Sequence, residues 1–166
     1  MRTNWKFAVT VAATVLTGVA GAGVAQASSA GSAAPSACRP ANHIAKITAG
    51  PASAGHRHYR VTLTAPRGYE SCKLAGSPTD VRFSNRGSEI GVTAGHYGSQ
   101  ATVVTFGPGQ PVHFDIQVPN TGRTTAATEA SFTLRAPDGE IPGTSVAEGE
   151  FTVATGTLIG PVQRGA

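Results

Sequence analysis

Five histidines, two cysteines and nine carboxylates are the residues of this 166-residue chain best suited to chemistry. His56 and His58 lie two positions apart, so on a strand they share a face and offer a metal two imidazoles. His113 and Asp115 have the same spacing. A site built from His58, His113 and Asp115 requires their strands to be neighbours, which the sequence does not show. The plainer reading is solvated side chains on a polar face, and neither a metal site nor any other cofactor is expected. A hydrolase needs an activated nucleophile. Serines, histidines and aspartates permit a triad on paper, but there is no Gly-x-Ser-x-Gly elbow and no His-Glu-x-x-His. Glu148 and Glu150 bracket a glycine at a strand entry, a weak basis for paired-carboxylate chemistry. No catalytic residue is assigned. Sugar binding uses exposed aromatic planes. Tyr69 and Tyr97 fall in expected loops, and with His96 they form the candidate ligand-facing set.

The positioning elements begin after an export signal. Arg2 and Lys6 form a positive start, residues 7–20 an apolar run, and Ala25-Gln26-Ala27 a small-residue cleavage site. Cleavage is expected after Ala27, by the general export route, since no twin arginine is present. The apolar run is short for a membrane span, and no second run is long enough. Removing Arg2 and Lys6 from the 13 basic residues leaves 11 against 9 acidic, a net charge near +2 rather than +4. The remaining basic residues are scattered, which argues against nucleic acid as a partner. Cys38 and Cys72 in an exported chain are most simply one disulfide. Two buried free thiols are the alternative, and a metal site lacks any Cys-x-x-Cys spacing.

Residues 28–37, rich in Ala, Ser, Gly and Pro, read as a flexible tail. From residue 38 to 163 the chain alternates short apolar segments with Gly, Pro and Asn turns, which predicts a single all-β domain. Tyr59, Val61 and Leu63 alternate with His58, Arg60, Thr62 and Thr64. Val112, Phe114, Ile116 and Val118 alternate with His113, Asp115 and Gln117, which are expected to face out. Asn85-Arg86-Gly87, Gly107-Pro108-Gly109 and Pro137-Asp138-Gly139 read as turns. Only residues 124–130 suggest a helical turn. Eight to ten short antiparallel strands in an immunoglobulin-like β-sandwich are expected, without the buried Trp of antibody domains.

Cys38, the strand containing Tyr59, and Ser71-Cys72-Lys73-Leu74-Ala75-Gly76-Ser77-Pro78 followed by Val81 occur in an order that resembles the actinobacterial domain of unknown function 4232 family. The segment from Thr105 through Gly107-Pro108-Gly109 to Phe114 resembles that family's Pro-Gly turn leading into an apolar strand. Thr157-Leu158-Ile159-Gly160-Pro161-Val162 resembles its last strand. The resemblance spans residues 38–162 and implies a secreted or surface-attached β-sandwich with a Cys38–Cys72 disulfide. It implies no activity. Ser77 stands where members carry Tyr before Pro78. The second cysteine pair that many members have is missing, which implies less firmly pinned last strands. The function expected is a monomeric, non-enzymatic module that is secreted, extracellular or cell-wall associated and binds an unknown protein or cell-wall ligand. The alternatives are a secreted hydrolase with no recognisable motif and an extracellular glycan-binding domain. A protease inhibitor is disfavoured, because no disulfide brackets an obvious exposed loop.

Overall fold

The computed structural model describes residues 34–166. The expected export segment, residues 1–27, and most of the expected tail, residues 28–37, lie outside the described residues. Within them the chain is all-β, with a single 3-10 turn at Pro40–Asn42. The strands are β1 (Ile44–Ala49), β2 (His56–Thr64), β3 (Cys72–Ala75), β4 (Thr79–Asn85), β5 (Ser88–Ile90), β6 (Gly95–His96) and β7 (Val103–Phe106). Then follow β8 (Val112–Pro119), β9 (Thr124–Thr133), β10 (Arg135–Ala136), β11 (Gly139–Glu140), β12 (Ser145–Ala154), β13 (Leu158–Ile159) and β14 (Gln163–Arg164).

Most of these strands join one hydrogen-bonded path, β5-β4-β9-β12-β1-β2-β8-β13-β6, with β14 beside β8. Two small pairs, β3–β7 and β10–β11, stand apart from it. The pairing is antiparallel except for β1 with β12 and β13 with β6, which are parallel. The long sheet curls into a half-barrel. With no helix among the described residues to cover its apolar face, the sheet covers that face with itself. Phe114 on β8 and Phe132 on β9 are separated by three strands along the path, yet their rings meet edge to face at 5.0 Å.

The alternations of β2 and β8 supply the inner face. Val61, Leu63, Val112, Phe114, Ile116 and Val118 have no solvent exposure, and Tyr59 is buried with its hydroxyl on Thr152 Oγ1 at 2.9 Å. In β1 the inward residues are Ala45 and Ile47, whereas Ile44 points out and is 56% exposed. The Asn85-Arg86-Gly87 turn closes the β4–β5 hairpin with Asn85 opposite Ser88 and both Arg86 and Gly87 at positive φ, the turn form that matches strand twist.

Two expectations are corrected. Residues 124–130 form no helical turn; they belong to β9, whose Ala127 and Ala130 are buried against the interior. Threonines at 124, 125 and 128 favour the extended chain, and pairing with β12 settles it. His113 lies on the outer side of β8 but is not solvated. β14 pairs along the edge of β8 with Gln163 opposite His113, and the His113 Nδ1–H donates to the Gly165 carbonyl at 3.1 Å; the residue is 7% exposed.

The register of β9 against β12 shifts between Glu148 and Phe151. Gly149 sits in that bulge at φ +158°, and a Cβ there would collide with the Ile47 carbonyl oxygen. Gly122, at φ +88°, has nothing within 4 Å. Gly149→Ala is therefore expected to lose about 2–4 kcal/mol by overpacking plus backbone strain. Gly122→Ala should lose about 1 kcal/mol from backbone conformation alone. Equal denaturation midpoints for the two variants would contradict this account.

Candidate functional site

The disulfide joins Cys38, ahead of the 3-10 turn, to Cys72 at the start of β3, with their Cα atoms 6.0 Å apart. This settles the alternatives of free thiols and metal ligation, since no free cysteine remains. The segment entering Cys38 is held before the bridge is reached. The Glu70 amide donates to the Pro35 carbonyl at 3.1 Å, and the Ala37 amide to the Glu70 carbonyl at 2.8 Å. Asn42 Nδ2 donates to the Ser36 carbonyl at 2.7 Å. Ala37 is wholly buried, so packing begins ahead of Cys38.

His43 completes this anchor. Its Nδ1 lies 3.0 Å from the Ala37 carbonyl and its Nε2 3.0 Å from Ser145 Oγ. A carbonyl only accepts, so Nδ1 carries the proton and Nε2 accepts from the serine hydroxyl. The ring also stands edge-on to Phe106 at 5.7 Å. Burial pulls the imidazole below its ordinary pKa, against the opposing pull of the Ala37 and Arg39 carbonyls.

The bridge borders a groove of about 610 Å³. One wall is Cys38, Arg39, Cys72 and Lys73; the other is the β10–β11 hairpin and its exit, with Ala136, Pro137, Asp138, Ile141 and Pro142. The lining is mainly apolar, with charges at Arg39, Lys73 and Asp138. Sequence reading identified the Pro137-Asp138-Gly139 turn and both cysteines but had no signal that placed them opposite one another.

The expected ligand-facing residues go elsewhere. Tyr69 is partly buried and packs against the core. His96 lies on β6, a short edge strand rather than a free loop, and its Nε2 bonds the Pro78 carbonyl at 3.0 Å. Tyr97 follows it, with its amide on the Ile159 carbonyl at 3.1 Å. Its ring crosses Gly160 so closely that a Cβ there would meet the hydroxyl at 2.8 Å. Burial, and next the charge of Asp115, raise the Tyr97 phenol pKa. No hydrogen bond or ring contact among the described residues joins Tyr69 to His96 or Tyr97. Gln100 braces this region instead. Its Oε1 accepts from the Ser77 amide at 2.7 Å, and its Nε2 donates to Ser77 Oγ at 3.0 Å and to the Tyr97 carbonyl at 3.2 Å.

The residues considered for a metal do not converge. β2 and β8 are neighbours, as such a site requires, but His58 stands opposite Gln117 and His113 opposite Thr62. Four residues of β8 separate those rungs, about 13 Å along the strand. His58 instead shares a hydrogen bond with Ser53 Oγ at 2.8 Å. Asp115 lies opposite Arg60, with Oδ1 3.7 Å from Arg60 Nε.

Two measurements probe the anchor. The Cys38→Ala/Cys72→Ala pair is expected to lose about 4 kcal/mol on the chain-entropy model, seen as a lower denaturant midpoint; an unchanged midpoint would refute the staple. The His43 pKa is lower folded than unfolded, so its contribution is complete above the unfolded value. It is lost as pH falls from there through the folded value. Melting of the wild type should therefore drop on acidification below about pH 6.5, and His43→Gln should flatten that part of the profile. A parallel profile for the variant would exclude His43 as its source.

No helix among the described residues is long and apolar enough to cross a membrane. No curated protein and no solved structure matches the chain. A family model, the domain of unknown function (DUF4232), matches residues 38–162, from the first bridge cysteine to the residue before β14. The chain belongs to that family.

Proposed function

We propose that this protein is an exported, non-enzymatic binding module acting outside the cell or at the cell envelope, and that the groove beside Cys38–Cys72 holds its ligand. The observation that carries this reading is the groove itself. Its volume of about 610 Å³ lies in the range typical of ligand sites, and a mainly apolar lining with few polar groups is their usual composition. One wall is tied by the disulfide and the other is a hydrogen-bonded hairpin with Arg135 opposite Glu140. No histidine lines it, and its hydroxyl-bearing residue is Ser36, without a neighbouring base in the lining. That composition suits binding better than nucleophilic chemistry.

Export is supported by the signal-like features of residues 1–27 and by the disulfide, a bond that persists in oxidising compartments. The actinobacterial kinship and the immunoglobulin-like layout belong to the same reading. Support for the layout is the apposition of β8 and β9 through Phe114 and Phe132 across one shared interior. The glycan alternative rests on Tyr97 alone, because Tyr69 is packed against the core.

A random linear peptide library displayed on phage and panned on the wild-type protein tests the groove. Counter-selection uses Ala136→Trp, with Asp138→Trp as a second blocked variant at an exposed turn position and melting curves to verify folding. Enriched sequences are expected to bind the wild type and to lose at least tenfold in affinity on both folded variants. Enrichment that ignores both substitutions, or none above background, would sink the groove as the ligand site.

A further inference from the structure

We infer that the bond between His43 and Ser145 is an acid-released latch: on acidification the turn of residues 37–43 lets go of β12, while the disulfide keeps Cys38 in place. Three observations carry it. The first is that both ring nitrogens are engaged. Nδ1–H donates to the Ala37 carbonyl and Nε2 accepts from Ser145 Oγ, each at 3.0 Å. The second is that Ser145 is 2% exposed and its hydroxyl makes no other hydrogen bond among the described residues. A protonated ring is a donor at both nitrogens. Nε2–H then faces a hydroxyl that has to turn its own hydrogen away from its one partner, inside the fold. The third is that no carboxylate balances the charge. The titratable and charged side chains on the surrounding segments are Arg39, Lys46, Glu70, Glu148 and Glu150. All five are exposed, and none bonds or ion-pairs with His43 among the described residues. The 3-10 turn carries none, nor does β7, whose Phe106 the ring meets edge-on.

The two bonds of the ring respond differently to a proton. The bond from Nδ1–H to Ala37 lies within the turn and survives protonation, so the turn stays closed on itself. The bond to Ser145 ties the turn to β12, and it is the one that the charge disrupts. Burial already pulls the imidazole below its ordinary pKa, as expected where the surroundings disfavour the charged ring. The base of the turn is held independently of the latch. Cys38 is bridged to Cys72, and the Ala37 amide is on the Glu70 carbonyl. Cys38 and Arg39 stand on the groove wall, so release alters the shape of the groove. The latch itself does not depend on the groove holding a ligand.

The test is an NMR titration of the oxidised protein from neutral pH into mild acid, with the His43 ring carbons reporting its protonation. A nuclear Overhauser contact between the His43 ring protons and the Ser145 Hβ protons is expected at neutral pH. It should be lost as the ring protonates, below about pH 6.5, while the methyl signals of β2 and β8 keep their folded positions. A contact that persists once the ring is charged would overturn the latch. Loss of the contact only together with the β2 and β8 signals would overturn it too, because that is global acid unfolding. In His43→Gln the amide shifts of residues 39–42 should stay constant over the same range; shifts that follow those of the wild type would assign the titration to another group and exclude the latch. If His43→Gln does not fold, the wild-type contact decides by itself.

Discussion

A β-sheet with one apolar face, and no helix among the described residues to cover it, must close on itself, and that constraint organises the domain. The edge-to-face contact of Phe114 with Phe132 is where the closure is made. Those rings come from strands far apart along the sheet, so the contact exists only if β12, β1 and β2 curve between them. Gly149 permits part of that curvature. It lets the β12 backbone bulge against the Ile47 carbonyl at a distance no side chain tolerates. Bulges bend the strand that carries them and increase its twist, which here turns β12 toward the interior that Phe151 and Val153 fill.

The small β3–β7 pair depends on that closed interior. Leu74 and Phe106 are wholly buried in the common core, so the strand bearing Cys72 is held from below. Cys38 is held from above by the carbonyl and amide bonds of residues 35–37, Asn42 and His43. The disulfide thus joins two segments that are each already ordered. A bridge between ordered segments acts mainly by removing freedom from the unfolded chain, and in the folded domain it gives one wall of the groove a fixed position. His43 links that wall to β12 through Ser145, so the groove and the curled sheet share one hydrogen-bond chain.

The segment after Ile159 shows how a missing constraint is replaced. The family pattern led to an expectation of loosely pinned last strands where a second cysteine pair is missing. In the structure the Val162 amide donates to the Gly76 carbonyl at 2.9 Å, β14 pairs with β8, and Gly165 accepts from His113. These bonds also bury the histidine that sequence alternation placed in solvent. A period of two reports which side of a strand a residue occupies. It does not report what later covers that side.

Much of the fold was legible because it is local. The inward residues of β2 and β8, the turns at Arg86-Gly87 and Pro108-Gly109, and the family membership all follow from neighbouring residue types. The pairing of Cys38 with Cys72 was legible by count, since two cysteines allow one disulfide within the chain. The candidate groove was not legible, because it is lined by Cys72 together with Pro137 and Ile141, residues far apart in the chain with no pattern relating them. The histidines show the same division. The sequence alone determined that His58, His113 and Asp115 share one side of their strands; only the register of β2 against β8 decided that His58 and His113 stand too far apart to hold one ion. Local periodicity is set by backbone geometry within a strand, whereas register and wall-to-wall contact are set by how the curled sheet closes around its aromatic core.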